Sequence, residues 1–221
     1  MNTTTPLLNT ILHGIRKDYT KGNLNEDTVN EDPFQQFEFW LKEAIDGGNH
    51  HANAMTLSTV DKDLQPDARV VLLKDISEGG FTFFTNYTSK KAQDMESHPK
   101  ASLLFFWSEM ERQIRIQGVI KRLSEKASDE YFETRPYESK VGALASKQSQ
   151  KIASRAILEE LYAEKLKEVE NKSIVRPANW GGYVLIPSKI EFWQGRPSRL
   201  HDRICFTLQN NKIWQIERLM P

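Results

Sequence analysis

Alternating apolar and polar positions dominate the middle and the end of this chain, while helical spacing is confined to a few short stretches between them. Strand-like runs fall at 54–60, 68–75, 81–86, 101–107, 113–123, 182–186, 189–194, 203–209 and 212–218, with Asp/Lys/Gln/Pro, Ser/Glu/Gly/Gly or Asn/Asn punctuation between several of them. In one run Gln113, Arg115 and Gln117 alternate with Ile114 and Ile116, and Gly118 then marks a bulge. Asn210-Asn211 reads as a tight hairpin turn.

Helices are fewer. Asp32-Pro33-Phe34-Gln35 opens one with an acid N-cap, a proline at the first helical position and a glutamine completing a capping box. Phe34, Phe37, Leu41 and Ala44/Ile45 follow at helical spacing, and Gly47-Gly48 stops it. Shorter helices are expected at 7–17, at 89–97 before Pro99, and from Ser124 up to Pro136. Residues 150–170 set Ile152, Leu158, Leu161, Leu166 and Val169 against a Glu/Lys-rich face, which predicts an amphipathic surface helix. Many short strands with few crossover-length helices point to a mainly β chain with peripheral helices (α+β), built as an antiparallel barrel. Residues 1–31 read as a polar arm and 32–221 as one domain.

Composition narrows the function classes. Thirty Lys+Arg balance thirty Asp+Glu, so the basic surplus of a nucleic-acid binder is missing. The single cysteine, Cys205, cannot form an internal disulfide, and no signal-like stretch opens the chain; both lead to a cytoplasmic expectation. The apolar run at 103–107 is too short to span a bilayer, so no membrane role is expected. GxGxxG, P-loop and GxSxG patterns are missing, and the histidines lack metal-ligand spacing, so no metal is expected.

What remains is positive charge set against local preference. Lys90 and Lys91 occupy the first turn of a helix, where the macrodipole is already positive, and a phosphate resting there would remove the conflict. Arg69 and Lys74 bracket an apolar strand, and strand parity sends them to opposite faces. Tyr131 and Arg135 share a helix face, with Ser139 just beyond Pro136, which makes a second candidate phosphate site. Ser149 suits either an anion or the N-cap of the amphipathic helix. Near the end, Arg199 and His201 project to one face of an extended segment close to Trp193, a surface suited to a flat anionic aromatic ligand.

The stretches RVVLLK (69–74), SKKA (89–92), ERQIRIQG (111–118), YFETRP (131–136), SKQS (146–149) and IEFWQG…RLHDR (190–203) together resemble the pyridoxamine 5'-phosphate oxidase family. The resemblance implies an FMN-binding split β-barrel working as a homodimer, with FMN in the subunit interface and a C-terminal segment serving dimerisation and the active site. It implies oxidation of pyridoxamine 5'-phosphate and pyridoxine 5'-phosphate to pyridoxal 5'-phosphate, with O2 as acceptor and H2O2 as product. By the same similarity Arg69, Lys90, Lys91, Gln148 and Ser149 hold the FMN phosphate and its surroundings. Val70, Val71, Leu72, Leu73, Lys74, Phe84, Thr85, Gln113, Trp193 and Arg203 line the rest of the flavin. Lys74, Tyr131, Arg135 and Ser139 clamp the substrate phosphate, Arg199 and His201 are the catalytic pair facing its ring, and Arg16 and Tyr19 belong to an N-terminal segment closing over it. Two other readings stay open from sequence. An NAD(P)H:FMN reductase on the same barrel has no use for the second phosphate clamp, and a non-catalytic carrier has none for Arg199 and His201.

Overall fold

The computed structural model describes residues 6–15, 18–76 and 79–221. Helix α1 (Pro6–Gly14) lies in the N-terminal arm and exposes Leu8, Ile11 and Leu12. Helix α2 (Pro33–Asp46) begins as expected: Asp32 is the N-cap, and its carboxylate accepts the Phe34 N–H at 2.8 Å. The glutamine that acts there is Gln36, not Gln35. Its buried Oε1 accepts from the backbone and side-chain N–H of Asn30 (3.0 and 3.2 Å), tying the incoming loop to the helix.

Strands β1 (Ala54–Val60), β2 (Pro66–Leu72), β3 (Phe81–Asn86), β4 (Lys100–Trp107), β5 (Arg112–Arg122), β6 (Trp180–Gln194), β7 (Asp202–Leu208) and β8 (Trp214–Arg218) form one antiparallel sheet. Pairing runs β2-β1-β4-β5-β6, and β3 pairs with the first half of β6. An Asp75–Thr82 bridge then joins β3 back to the chain just beyond β2, which closes the ring. The second half of β6 stays paired with β5 and on its other edge pairs with β7, and β7 pairs with β8. The barrel is therefore split: one long strand serves both a closed ring and an outlying three-stranded sheet.

Sequence reading divided β6 in two at Pro187-Ser188, yet it is continuous over 15 residues. Pro187 stands opposite Gly118 where the register shifts between Gln117 and Gly118, and an irregular ladder there spares it the N–H it lacks. The β7–β8 connection is longer than the expected two-residue turn. Gln209 O accepts from Lys212 N–H, and Lys212 takes the positive φ (63°), giving a turn with a bulge instead of an Asn-Asn I′ turn.

Helix α2 plugs the ring. Phe37 is fully buried and packs edge-on to Phe81 (4.9 Å) and Phe105 (5.0 Å), while Trp40 meets Phe192 at 5.3 Å. Outside the ring lie α3 (Lys90–Ser97), α4 (Glu125–Glu133), α5 (Tyr137–Ala145) and α6 (Arg155–Glu168). Helix α5 has no counterpart among the elements expected from the pattern. Helix α6 starts later than expected, with Ser154 as its N-cap, so Ser149 is released from that role.

Candidate active site

A cleft of about 670 Å³ opens beside the ring where β2, β3, the start of β6 and the α4–α5 junction meet. Arg69, Val70, Val71, Leu72 and Lys74 line one side, Phe84 and Thr85 the floor, and Tyr131, Arg135 and Ser139 the opposite side, with Lys91 and Gln148 also present. Arg69 and Lys74 share this cleft although strand parity sends them to opposite faces. Strand β2 ends at Leu72, and the chain turns before Lys74 bonds its N–H to Thr82 O (2.9 Å). Leu73 differs from its neighbours: it is 5% exposed and packs in the barrel core, so its backbone is what it offers to the cleft.

The cleft has an aromatic wall that sequence reading only half found. Phe84 stacks on Tyr131 at 3.7 Å and on Trp180 at 5.6 Å, with interplanar angles of 13° and 12°. Trp180 was not singled out; it opens a strand next to two glycines, and nothing in its local pattern separates it from a core tryptophan. The Arg135 guanidinium lies 4.4 Å over the Trp180 ring, and its Nη1 is buried with no hydrogen-bond partner among the described residues. Burial pulls the Arg135 pKa down, with Tyr131 opposing. An orphaned guanidinium nitrogen in a cleft is costly unless an anion completes it.

A second unpaired cation stands elsewhere in the cleft. Lys91 Nζ bonds to Gln148 Oε1 (2.9 Å) and Thr85 Oγ1 (3.3 Å), both neutral acceptors. Burial first, then the charge of Arg69, pulls its pKa down. Arg69 itself is held by Thr59 Oγ1 (2.7 Å), Leu57 O (3.2 Å) and Asp67 (2.6 Å). Lys90 behaves differently from its neighbour. Its ammonium turns onto Asp94 (2.7 Å) and Asp61 (3.4 Å), and it reaches the Ser149 region only through its backbone N–H, which donates to Ser149 Oγ at 3.1 Å. Ser149 holds φ = 71° to offer that hydroxyl.

The remaining predicted residues form a separate cluster at the far end of β6. Tyr19 packs against Trp193 (5.6 Å) and His201 (5.7 Å), and Trp193 against His201 (4.7 Å). Arg203 pairs in register with Trp193 and is anchored by Glu191 (2.9 Å), while Gln113 lies opposite Trp193 on β5. Ser198 and Arg199 both have positive φ (56° and 61°), a tight turn that leaves Arg199 exposed. The Arg196 N–H donates to His201 Nδ1 at 3.1 Å, so the neutral ring carries its proton on Nε2. Arg16 lies outside the described residues. Trp180 in the cleft and Trp193 here are separated by about 40 Å of strand at ~3.3 Å per residue.

A split barrel whose side cleft holds two partly buried, uncompensated cations beside an aromatic wall defines a protein that binds phosphorylated, flat ring compounds. The chain belongs to the pyridoxamine 5'-phosphate oxidase family: residues 41–168 match the model of that family, and residues 180–221 match the pyridoxine 5'-phosphate oxidase C-terminal dimerisation region. It is 51% identical to the pyridoxine/pyridoxamine 5'-phosphate oxidase of Nostoc sp. strain PCC 7120 over 94% of this chain and 97% of that one. It is also 51% identical to the protein of the same name from Cupriavidus necator, over 96% and 100%. Among solved structures, PhzG from Burkholderia lata 383, in complex with tetrahydrophenazine-1-carboxylic acid, gives a TM-score of 0.84 at 29% identity, covering 90% of this chain and 98% of that one. An FMN-binding, pyridoxamine 5'-phosphate oxidase-related protein from Nostoc punctiforme shares the fold at a TM-score of 0.70 and 16% identity, over 86% and 98%. Among the described residues, no helix is long and apolar enough to cross a membrane, and no cluster of His, Cys, Asp and Glu suits a metal.

Proposed function

We propose that this chain oxidises pyridoxamine 5'-phosphate and pyridoxine 5'-phosphate to pyridoxal 5'-phosphate, with FMN as cofactor and O2 as final acceptor, releasing H2O2. The observation that carries the reading is the pair of unsatisfied cations in one cleft, Lys91 and Arg135, each without an ion-pair partner among the described residues. Two anchored phosphates need two such sockets, and a flavin reductase acting on a nicotinamide donor needs no clamp at Arg135.

The donor set fits FMN. Arg69, Lys91, Gln148, Ser149 and the Lys90 backbone N–H would hold its phosphate, with Val70 to Lys74, Phe84 and Thr85 along the rest of the molecule. FMN, when bound, supplies the hydride acceptor and hands the electrons on to oxygen. The chain's own task is placement. Lys74, Tyr131, Arg135 and Ser139 clamp the substrate phosphate, which fixes the ring and turns binding into orientation. Arg199 steadies charge on the pyridine ring, and His201, neutral with its proton on Nε2, donates a hydrogen bond to the substrate.

Arg199, His201, Trp193, Gln113, Arg203 and Tyr19 gather at the far end of β6, about 40 Å of strand from Trp180 in the cleft of their own chain. A homodimer resolves this: the C-terminal segment of one protomer caps the cleft of its partner, and Tyr19, packed on that segment, closes over it. A lone cysteine, buried at position 205, is in keeping with a cytoplasmic enzyme.

The test is spectroscopic. The purified protein should be yellow, and pyridoxamine 5'-phosphate added without air should bleach the flavin band at about 450 nm. A flavin that stays oxidised under those conditions, yet is bleached by NADH or NADPH, overturns the reading in favour of a reductase.

A further inference from the structure

We propose that Glu111 is the positioning residue that sets Tyr19 against His201. This deepens the functional reading above and rests on it for the role of Tyr19 at the substrate. Glu111 is 1% exposed, at the β4–β5 turn, in a left-handed conformation (φ 56°) that a non-glycine residue adopts reluctantly. One oxygen of its carboxylate accepts two backbone N–H groups from the N-terminal arm, Thr20 at 2.7 Å and Lys21 at 3.0 Å. These are the two residues that immediately follow Tyr19.

The same residue also grips the other side of the cluster. Its carbonyl accepts the Gly195 N–H (2.8 Å) and the Gln194 side-chain amide (3.2 Å), at the end of the strand that carries Trp193. Glu111 thus binds the arm through its side chain and the β6 terminus through its backbone. Between the two grips there is no slack: a Cβ on Gly195 would sit 2.6 Å from Tyr19 Cγ, so ring and backbone are in direct contact. Arg196 adds a further tie, donating to Gly22 O at 2.7 Å. Charge-assisted bonds to two successive amides fix both position and direction of the chain at Tyr19, which a hydrophobic contact alone would not do. The strained φ is kept because it aims the carboxylate at the arm.

The test separates this tether from a merely structural role. Glu111→Gly removes the acceptor oxygen while suiting the left-handed backbone, so folding is spared; Glu111→Gln keeps an acceptor oxygen at the same reach. Glu111→Gly should raise KM for pyridoxamine 5'-phosphate by about tenfold, more than it lowers kcat, with FMN content unchanged. It should also speed tryptic cleavage after Lys21. Glu111→Gln should restore most of both. In a Tyr19→Ala background, Glu111→Gly should add almost nothing to KM. A wild-type KM and cleavage rate in Glu111→Gly, or a full additional KM effect in the Tyr19→Ala background, overturns the proposal. If the wild-type flavin is not bleached by pyridoxamine 5'-phosphate, the functional reading fails instead, while the trypsin comparison still decides whether Glu111 holds the arm.

Discussion

At the scale of single residues, His201 shows how backbone geometry sets chemistry. The Arg196 N–H occupies Nδ1, and protonating that nitrogen would face one N–H against another. Burial, then the charge of Arg199, lowers its pKa from the ordinary 6.5, with Asp202 opposing. The folded chain therefore holds fewer protons at His201 than the unfolded one, and no penalty exists above the ordinary value. As pH falls below 6.5, stability drops and the ring becomes cationic, losing the tautomer that the turn selects. A kcat/KM profile should show an acid limb on the low side of 6.5, and His201→Gln should abolish that limb along with most of the rate. A limb unchanged in His201→Gln assigns it to another group. Residue type was legible from sequence here, but direction was not. Lys90 and Lys91 are neighbours of the same charge, yet one ammonium is claimed by Asp94 and the other bonds the neutral Gln148 and Thr85 side chains, with no ion pair among the described residues. Which acid folds up beneath a lysine is a tertiary fact.

Secondary structure was legible wherever period or punctuation was local. β1 and β3 fall within the expected bounds, as does the start of α2 at Pro33. At Pro187 and at Ser149 a non-local partner decided what local pattern could not. Pro187 looked like a strand break until Gly118 on β5 supplied an irregular register opposite it. Ser149 suits either an N-cap or an anion by its local pattern; Ser154 caps α6, and Ser149 turns to α3 instead. Helix α5 follows Pro136 directly and buries only Val141, so it shows almost no apolar stripe. The Gly118–Pro187 irregularity has an energetic consequence. A Cβ at Gly118 would collide with the Ile186 carbonyl, a backbone atom on the paired strand that cannot swing away. Gly118→Ala should cost about 1–3 kcal/mol, the range for overpacking a fitted site, and lower the urea midpoint with an unchanged m-value. An unshifted midpoint would mean that β6 can slide at Pro187 without loss.

For the whole molecule, the long split strand decides what one chain can do alone. It puts the cleft with Arg135 at one end and the His201 cluster at the other, and the function proposed above brings them together across two copies facing each other. Subunit mixing tests this directly. Arg135→Ala spoils the cleft and His201→Ala spoils the cap, so each homodimer should be severely impaired. In a mixed dimer, one site joins the damaged cleft to the damaged cap, while the other joins an intact cleft to an intact cap. Random exchange at equal concentrations makes half the dimers mixed, so about a quarter of all sites should regain wild-type turnover. If cleft and cap came from the same chain, every site in every combination would carry a lesion, and mixing would restore nothing. Recovery should also require exchange: variants mixed at once under conditions that keep dimers intact should stay inactive, then gain activity at the rate at which protomers trade partners.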